Sequence, residues 1–407
     1  MTIRTCWCLF ATAGLLMGCT ALEPGELRPF YEREAEGTPL EADPVVFVPG
    51  LLGTTLVDRS TGGLVWGLGP DALEELPLPM AEGRFLDALR DDAQPDAVLG
   101  AAGEGEVHEA LGVPAEGRAK APFYVFPYDW RRDVVENARR LEVYLLELRE
   151  TIGRPVRFDL VALSAGSLVT RWFLEYGGAE PPVEGEPPAP TWAGADLVDQ
   201  AVLIGPPNAG ATGALLALAE GMPRVPAAWI GTMPMVYQLL PRGRDGPLVE
   251  ERGRELFDPL DPALWRRMRW GLAHPEADLA ELLPGVADPE ARRRIALDHL
   301  DKCLERARRV HAALDAPATP PPGLGLYLLG GDSSETPAVL GVDAATGDLR
   351  VLETARGDGT VCRSSMECPS RIAWRRVRFH PVQHVEFLSS REFVEDLLDL
   401  LDDPGSR

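Results

Sequence analysis

One segment near the middle of the chain constrains the fold more than any other. Residues 156–163 form an apolar run typical of a buried strand, and residues 167–176 have the composition of a helix. Ser164 stands between them, with the small residues Ala162 and Gly166 on either side. At a sharp turn from strand into helix the two elements nearly touch, so only small side chains fit beside the serine. The segment therefore predicts a serine hydroxyl held out of the backbone at the end of a strand.

This strand–serine–helix arrangement is typical of the nucleophile elbow of an α/β-hydrolase. Further short apolar runs at residues 44–48, 123–126 and 201–204 predict strands that are covered on both faces. Apolar residues at helical spacing follow the second run, at Val134, Ala138, Leu141, Leu145 and Leu148. Buried strands that alternate with helices predict an α/β fold, with a mainly parallel sheet and helices on both faces.

The alternation breaks in the second half of the chain. Residues 212–320 carry several tryptophans and prolines and a basic helix-like stretch, which predicts a helical cap inserted in a hydrolase domain of residues 44–407. Strand-like runs return at residues 324–329 and 349–352. The apolar pattern near the C-terminus fits an amphipathic closing helix.

The N-terminal residues are typical of an export signal. An apolar run at residues 7–17 is too short to remain as a membrane-spanning helix. It leads into the sequence LMGC, which resembles a bacterial lipobox and implies cleavage after residues 1–18 and lipidation of Cys19. Thr20 follows the cysteine, which favours the outer membrane, and residues 19–43 have the composition of a tether. The alternative is an ordinary signal peptide with a chance cysteine.

Composition limits the partners of the chain. The formal net charge of the 407 residues is -23, so no general basic field is present that would attract nucleic acid. The same acidity argues against electrostatic adhesion to anionic lipid. The expected partners are instead a lipid or other acyl-ester substrate, and a membrane reached through the N-terminal anchor. The sequence does not indicate an oligomeric state.

The cysteines allow two interpretations. Besides Cys19 and the two in the signal segment, the chain has Cys303, Cys362 and Cys368. In an oxidising compartment Cys362 and Cys368 could close a short loop as a disulfide, or all three could remain thiols. Their spacing and the lack of a matching histidine pair do not indicate zinc, and no metal or organic cofactor is expected.

A serine hydroxyl needs a base to become a nucleophile, and the order in α/β-hydrolases is serine, acid, histidine. His384 stands just before the closing helix, where the base is required, and His380 is the alternative. Asp358, in the tight GDGT loop, is the predicted acid, with Asp332 as the alternative. The sequence therefore predicts a triad of Ser164, Asp358 and His384.

An oxyanion intermediate needs two aimed N–H donors. One is expected at Ala165, directly after the nucleophile, and the other in the loop after the first core strand. That loop has the sequence PGLLG at residues 49–53, and the N–H of Leu51 is the predicted donor.

Together these segments resemble the lecithin:cholesterol acyltransferase family, in its bacterial esterase and acyltransferase-like branch. The matching stretches are VVFVPGLLG at 45–53, FPYDWR at 126–131, the elbow at Ser164, GPPNAG at 205–210, GDGTV at 357–361 and QH at 383–384. The resemblance implies an α/β-hydrolase core with a cap, and a Ser–Asp–His triad on Ser164, Asp358 and His384. It also implies cleavage of acyl esters, with the acyl group passed to water or to an alcohol.

The elbow departs from the family pattern, which commonly has Gly-His-Ser-x-Gly where this chain has ALSAG at residues 162–166. Alanine is small enough for the turn, but loss of the histidine changes the wall of the pocket. Asp129 and Arg131 are expected to pair beneath the site in a structural role. Two other functions fit the same fold: a lipid-binding or envelope-scaffold lipoprotein without catalysis, and a peptidase.

Overall fold

The structure is a computed structural model that describes residues 43–401 apart from several gaps. The gaps are residues 68–75, 85, 87–88, 90, 99–122, 184–185, 187, 244–246, 252–255 and 369–370. The predicted signal peptide, Cys19 and the tether up to residue 42 lie outside the described residues, as do residues 402–407.

Strands and helices are numbered along the described chain. The strands are β1 (Val45–Val48), β2 (Thr54–Asp58), β3 (Leu64–Trp66), β4 (Ala93–Val98), β5 (Phe123–Val125), β6 (Phe158–Leu163), β7 (Val198–Ile204), β8 (Leu248–Glu250), β9 (Leu256–Phe257), β10 (Gly325–Gly331), β11 (Ser334–Val342), β12 (Leu349–Gly357) and β13 (Arg376–His380). The α-helices are α1 (Val134–Ile152), α2 (Ala165–Tyr176), α3 (Thr212–Glu220), α4 (Ala227–Ile230), α5 (Pro234–Gln238), α6 (Pro262–Met268), α7 (Leu279–Leu282), α8 (Pro289–Leu314), α9 (Arg363–Glu367) and α10 (Arg391–Leu401).

Within these ranges the central sheet has six strands in the order β13-β10-β7-β6-β1-β5. Every neighbouring pair in this sheet is parallel. The carboxyl ends of the strands therefore lie along one edge, where Val48 pairs with Ala162 and Leu163 pairs with Ile204. The strands predicted from apolar runs are all present, with ends shifted by a few residues.

Side chains on the buried strands alternate between two apolar layers. Val46 of β1 belongs to the same buried cluster as Leu141 of α1, and its neighbour Val45 belongs to a second cluster with Leu397 of α10. Because alternate residues of a strand point to opposite faces, helices cover the sheet on both sides. This is the α/β-hydrolase fold predicted from the sequence.

Helix α1 shows how local sequence sets the limits of an element. The side chain of Asp133 caps its N-terminus by accepting from the backbone N–H groups of Val135 and Glu136. Gly153 ends the helix with φ of 72°, a left-handed conformation that glycine adopts without steric cost. Both ends of the helix are therefore determined by residues next to them in the sequence.

Residues 212–320, the predicted cap, hold helices α3 to α8 together with the short strands β8 and β9. The long helix α8 is fastened directly to the elbow helix α2. Arg171 donates to the carbonyl oxygen of Leu314 at 2.9 Å, and the Tyr176 hydroxyl donates to that of Ala313 at 2.9 Å. The segment is thus joined to the helix that follows Ser164.

A second sheet, with strand order β12-β11-β8-β9, was not predicted from the sequence. The strand expected at residues 349–352 extends through Gly357 and pairs antiparallel with β11. Asp358 consequently follows the strand directly.

In the described part of the chain, no helix has the length and apolar composition that crossing a bilayer requires.

Two histidines are buried where α8 packs on the segment around α5. Nε2 of His299 lies 3.0 Å from the carbonyl oxygen of Thr232, and Nε2 of His311 lies 2.8 Å from that of Gln238. Each Nε2–H donates, and the buried Nδ1 of each ring has no partner among the described residues. Burial lowers the pKa of His299 to about 4 and the pKa of His311 well below its ordinary value. Protonation would therefore place an unpaired charge in the core.

We expect the free energy of unfolding to fall as the pH falls below about 6.5, the pKa of an unfolded histidine. Because the folded-state pKa values are lowered, the unfolded chain binds these protons first. The free energy of unfolding keeps its full value above about pH 6.5. Below that pH it falls by at most about 1.4 kcal/mol per pH unit for each histidine, until the pH reaches the folded-state pKa. Urea midpoints of wild type and His299→Gln, measured near pH 7.5 and pH 5.5, test this.

Glutamine at position 299 keeps an N–H donor but does not titrate, so the midpoint of His299→Gln should depend less on pH. The matched control is His274→Gln at a solvent-exposed position, which should retain the wild-type dependence. Equal pH dependence of His299→Gln and wild type would contradict the prediction.

Candidate active site

The turn between β6 and α2 holds Ser164 in a strained conformation. Its φ is 51° and its ψ is -124°, values that a residue with a side chain rarely adopts. Its N–H donates to the carbonyl oxygen of Ile204 at 2.8 Å, which ties the turn to the end of β7. Strain of this kind costs on the order of 1–3 kcal/mol and is concentrated at functional sites.

Close packing explains the small residue at position 166. A Cβ atom on Gly166 would lie 2.3 Å from the carbonyl oxygen of Pro49 and 2.6 Å from that of Val48. The end of β1 therefore crosses directly over the start of α2. The loop that follows β1 is brought against the serine, since a Cβ on Gly50 would lie 3.1 Å from Cβ of Ser164.

Asp358 and His384 form a partly buried, hydrogen-bonded pair. Nδ1 of His384 lies 2.7 Å from Oδ2 of Asp358, whose side chain is fully buried, and the imidazole is 14% exposed. The backbone N–H of His384 also donates to the carbonyl oxygen of Asp358 at 2.9 Å. The other carboxylate oxygen, Oδ1, accepts from the N–H groups of Thr360 and Val361 at 2.9 and 2.7 Å. The carboxylate is thus held rigidly, with one oxygen directed at the imidazole.

The loop that carries Asp358 is held by residues that sequence reasoning missed. The hydroxyl of Thr336, on β11, accepts from the N–H of Gly359 at 2.9 Å. A Cβ on Gly331, the last residue of β10, would lie 2.8 Å from Cβ of Asp358. A threonine inside a strand carries no signal of such a role, because the contact depends on the second sheet.

The imidazole lies beside the same strand end as the serine. A Cβ on Gly205 would lie 3.1 Å from Cε1 of His384. Gly205 directly follows Ile204, whose carbonyl oxygen receives the N–H of Ser164. Since Nδ1 is bonded to Asp358, Nε2 is the ring nitrogen left for proton transfer. Asp358 and His384 are therefore in contact, and His384 lies beside the strand end that holds the turn of Ser164.

The alternative base, His380, and the alternative acid, Asp332, have other partners. Nε2 of His380 lies 2.9 Å from Oδ2 of Asp396, and its ring packs edge-on against Phe393. Asp332 is paired with Arg363 at 2.6 Å and with Arg356 at 3.1 Å. Asp332 thus belongs to a cluster of ion pairs near the end of β10, and His380, at the end of β13, contacts a carboxylate other than Asp358.

One predicted oxyanion donor directly follows the serine, and the other lies in the loop whose Gly50 approaches the serine. Ala165 is the first residue of α2, where a backbone N–H has no acceptor within the helix. Leu51 lies in a tight turn closed by the N–H of Gly53, which donates to the carbonyl oxygen of Gly50 at 3.1 Å. Within the described ranges, the N–H of Leu51 has no backbone acceptor.

Cys303, Cys362 and Cys368 are buried thiols in the described part of the chain. Cys362 and Cys368 stand at the two ends of helix α9, as its N-terminal and C-terminal caps. At a helical rise of about 1.5 Å per residue, six residues separate two Cα atoms by about 9 Å, whereas a disulfide needs them within about 7 Å. Of the two interpretations, the structure has the thiols and not the disulfide. Asp129 and Arg131 pair as expected, at 2.9 Å.

No protein-family model matches the sequence, and no curated protein matches it. Among solved structures, a chain of the Tle4–Tli4 complex matches 90% of this chain and 99% of its own length, at 15% identity and a TM-score of 0.57. The mature form of the Bacillus licheniformis lipase BlEst2 matches 90% of this chain and 94% of its own, at 12% identity and a TM-score of 0.37. At this level of identity, the similarity to the Tle4–Tli4 chain shows a shared fold and nothing further.

Proposed function

We propose that this protein is a serine hydrolase of acyl esters that works through an acyl-enzyme. The observation that carries the proposal is the 2.7 Å contact between buried Asp358 and His384, beside the strained turn of Ser164. A carboxylate on Nδ1 holds the proton there and stabilises the imidazolium that forms when Nε2 accepts a second proton. We infer that His384, which lies beside the same strand end as Ser164, takes the proton of the serine hydroxyl as that hydroxyl attacks.

The proposed reaction has two halves. Oγ of Ser164 attacks the ester carbonyl carbon while Nε2 of His384 takes the hydroxyl proton, and the carbonyl oxygen becomes an oxyanion. The C–O bond to the alcohol then breaks, and the imidazolium returns its proton to the leaving alkoxide. Water or another alcohol repeats the sequence on the acyl-enzyme and releases the acid or a new ester. Asp358 keeps the imidazole in position throughout.

The N–H groups of Ala165 and Leu51 are proposed to bind the oxyanion. Gly50 supports this assignment, because its backbone approaches Ser164 so closely that a Cβ would lie 3.7 Å from Oγ. Donors that are fixed before the reaction stabilise developing charge without reorganisation.

Apolar side chains at this edge favour an apolar acyl group. Leu51 and Leu52 are half-buried and pack against the core next to the serine.

We further propose membership of the acyltransferase-like branch that the sequence resembles. Two of its matching stretches, at residues 45–53 and 205–210, lie beside Ser164 and His384 respectively. Analysis of products from a labelled phospholipid, with and without an added alcohol, distinguishes transfer from hydrolysis.

A fluorophosphonate probe tests the proposal directly, since it reacts covalently with an activated serine. We expect labelling of the wild-type protein at Ser164 and turnover of acyl esters in preference to peptides. A well-folded protein that is neither labelled nor active would instead favour a binding or scaffold role. Faster cleavage of peptides than of esters would favour a peptidase.

We also propose that the protein is exported and anchored by lipid in the cell envelope, in the outer membrane. The lipobox sequence LMGC supports this, with Cys19 as the lipidated residue. Replacing Cys19 by serine removes the acceptor sulfur, so the protein should move from the membrane fraction to the soluble fraction. Fractionation with immunoblotting measures this, with Cys303→Ser as the matched control that should stay in the membrane. If Cys19→Ser remains membrane-bound, the anchor proposal is wrong.

A further inference from the structure

We propose that Trp66 is a positioning residue for the oxyanion-binding N–H of Leu51. This inference rests on the proposed function and adds to it a residue that touches neither the substrate nor the serine. Trp66 lies at the end of β3, and its indole Nε1–H donates to the carbonyl oxygen of Leu52 at 2.9 Å.

The turn that Trp66 contacts is strained and needs outside support. Residues 50–53 form a β-turn closed by the bond from Gly53 N–H to the carbonyl oxygen of Gly50. Leu52 occupies its third position with φ of 64°, in the left-handed region. Leucine is disfavoured there because its Cβ approaches the carbonyl oxygen that follows. A turn built on such a residue keeps its shape only where neighbouring groups fix its peptide planes.

Two rigid peptide planes connect the indole to the predicted oxyanion donor. The carbonyl of Leu52 and the N–H of Gly53 belong to one planar trans peptide, so the bond from Trp66 also orients that N–H. The N–H of Gly53 in turn donates to the carbonyl oxygen of Gly50. That carbonyl and the N–H of Leu51 belong to the same peptide plane, which is the second of the two. A hydrogen bond that fixes the carbonyl of a peptide also fixes its N–H, because the peptide is planar. Successive hydrogen bonds also polarise one another. The direction of the Leu51 N–H is thereby set by the indole of Trp66.

The indole itself is well anchored. Its ring packs edge-on against Trp130, with ring centroids 5.3 Å apart, and the Nε1–H of Trp130 donates to the carbonyl oxygen of Thr54. The start of the turn is held separately, because the buried hydroxyl of Tyr128 donates to the carbonyl oxygen of Pro49 at 2.8 Å. The bond from Trp66 to Leu52 is therefore made to a turn whose preceding residue, Pro49, is already held by Tyr128.

Trp66→Phe tests the inference, because it removes the N–H and keeps an aromatic ring against Trp130. Loss of a whole oxyanion donor lowers kcat by about 10²- to 10³-fold, so a misaligned donor should lower it by about 10-fold. KM should stay within about twofold, since the interaction strengthens only in the transition state. The inhibition constant of a boronic acid, whose tetrahedral adduct places an oxygen in the same position, should rise by about the same 10-fold factor.

Trp229→Phe is the matched control. Its Nε1–H bonds to Oε2 of Glu281 at 3.3 Å, away from the turn, so kcat and the inhibition constant should not change. The pH dependence of kcat should be unaltered in Trp66→Phe, because the pair of Asp358 and His384 is untouched. Thermal unfolding of each variant identifies any decrease in folded protein.

Three outcomes would overturn the inference. If Trp66→Phe keeps kcat and boronic acid affinity within twofold of wild type, the indole does not position the donor. If KM rises and kcat does not change, Trp66 is a wall of the substrate pocket. If the wild-type protein neither hydrolyses esters nor labels with fluorophosphonate at Ser164, the proposed function fails and the inference fails with it. Active, labelled wild type with an unaffected Trp66→Phe refutes the positioning role alone.

Discussion

Replacement of Ser164 by alanine should lower kcat for ester hydrolysis by about 10⁵- to 10⁶-fold, the loss seen when a triad nucleophile is removed. The large effect follows from chemistry, because an acyl-enzyme cannot form without the hydroxyl. The protein should remain folded. In the described structure the turn is held by backbone bonds, such as the 2.8 Å bond from Ser164 N–H to Ile204, and alanine keeps these.

Hydrolysis of a chromogenic acyl ester and labelling by a fluorophosphonate measure this effect, with circular dichroism to verify folding. Ser167→Ala is the matched control. Its hydroxyl lies three residues further along the same elbow and donates to the carbonyl oxygen of Ala162 at 2.9 Å, away from the reaction. Ser164→Ala with retained turnover and labelling would show that the nucleophile has been misassigned.

His384→Ala should produce a loss of similar size, about 10⁵-fold or more in kcat, because no base would remain to take the serine proton. The Nδ1 contact of 2.7 Å to Asp358 is the reason that His384 is selected over the other histidine of this region. Steady-state hydrolysis of the same ester at neutral pH measures the loss, and thermal unfolding shows whether the fold survives.

His380→Ala is the comparison, since His380 is only four residues away and lies 2.9 Å from Asp396. It should retain most of the activity, and its stability should fall because alanine neither pairs with Asp396 nor packs against Phe393. If His380→Ala silences the enzyme and His384→Ala leaves it active, the base is misassigned and the proposed mechanism is wrong.

The elbow could be predicted from sequence because its requirements are local. A buried strand, a small residue, a serine, a second small residue and a helix follow one another within residues 156–176. The structure adds the reason for the small residue at 166, the 2.3 Å approach of the Pro49 carbonyl to its Cβ position. That approach joins residues far apart in the chain, and no local pattern shows it.

The choice between alternative acids and bases shows the limit of local patterns. Asp332 and Asp358 both stand in glycine-containing loops, and His380 and His384 are near neighbours. The fold separates them by their partners, since Asp332 pairs with Arg363 and Asp358 meets His384. The position of Asp358 depends on the second sheet, in which β11 and β12 pair antiparallel between the end of β10 and the Asp358 loop.

The alternation of the core strands with helices, the serine turn and the shortlist of reactive side chains can be predicted from the sequence, because apolar periodicity and turn chemistry act over a few residues. The second sheet, the Thr336 support of the Asp358 loop and the bond from Trp66 to Leu52 come only from tertiary structure. Each joins segments whose meeting depends on the packing of the whole domain, and a hydrogen bond between such segments has no periodicity that a sequence can display.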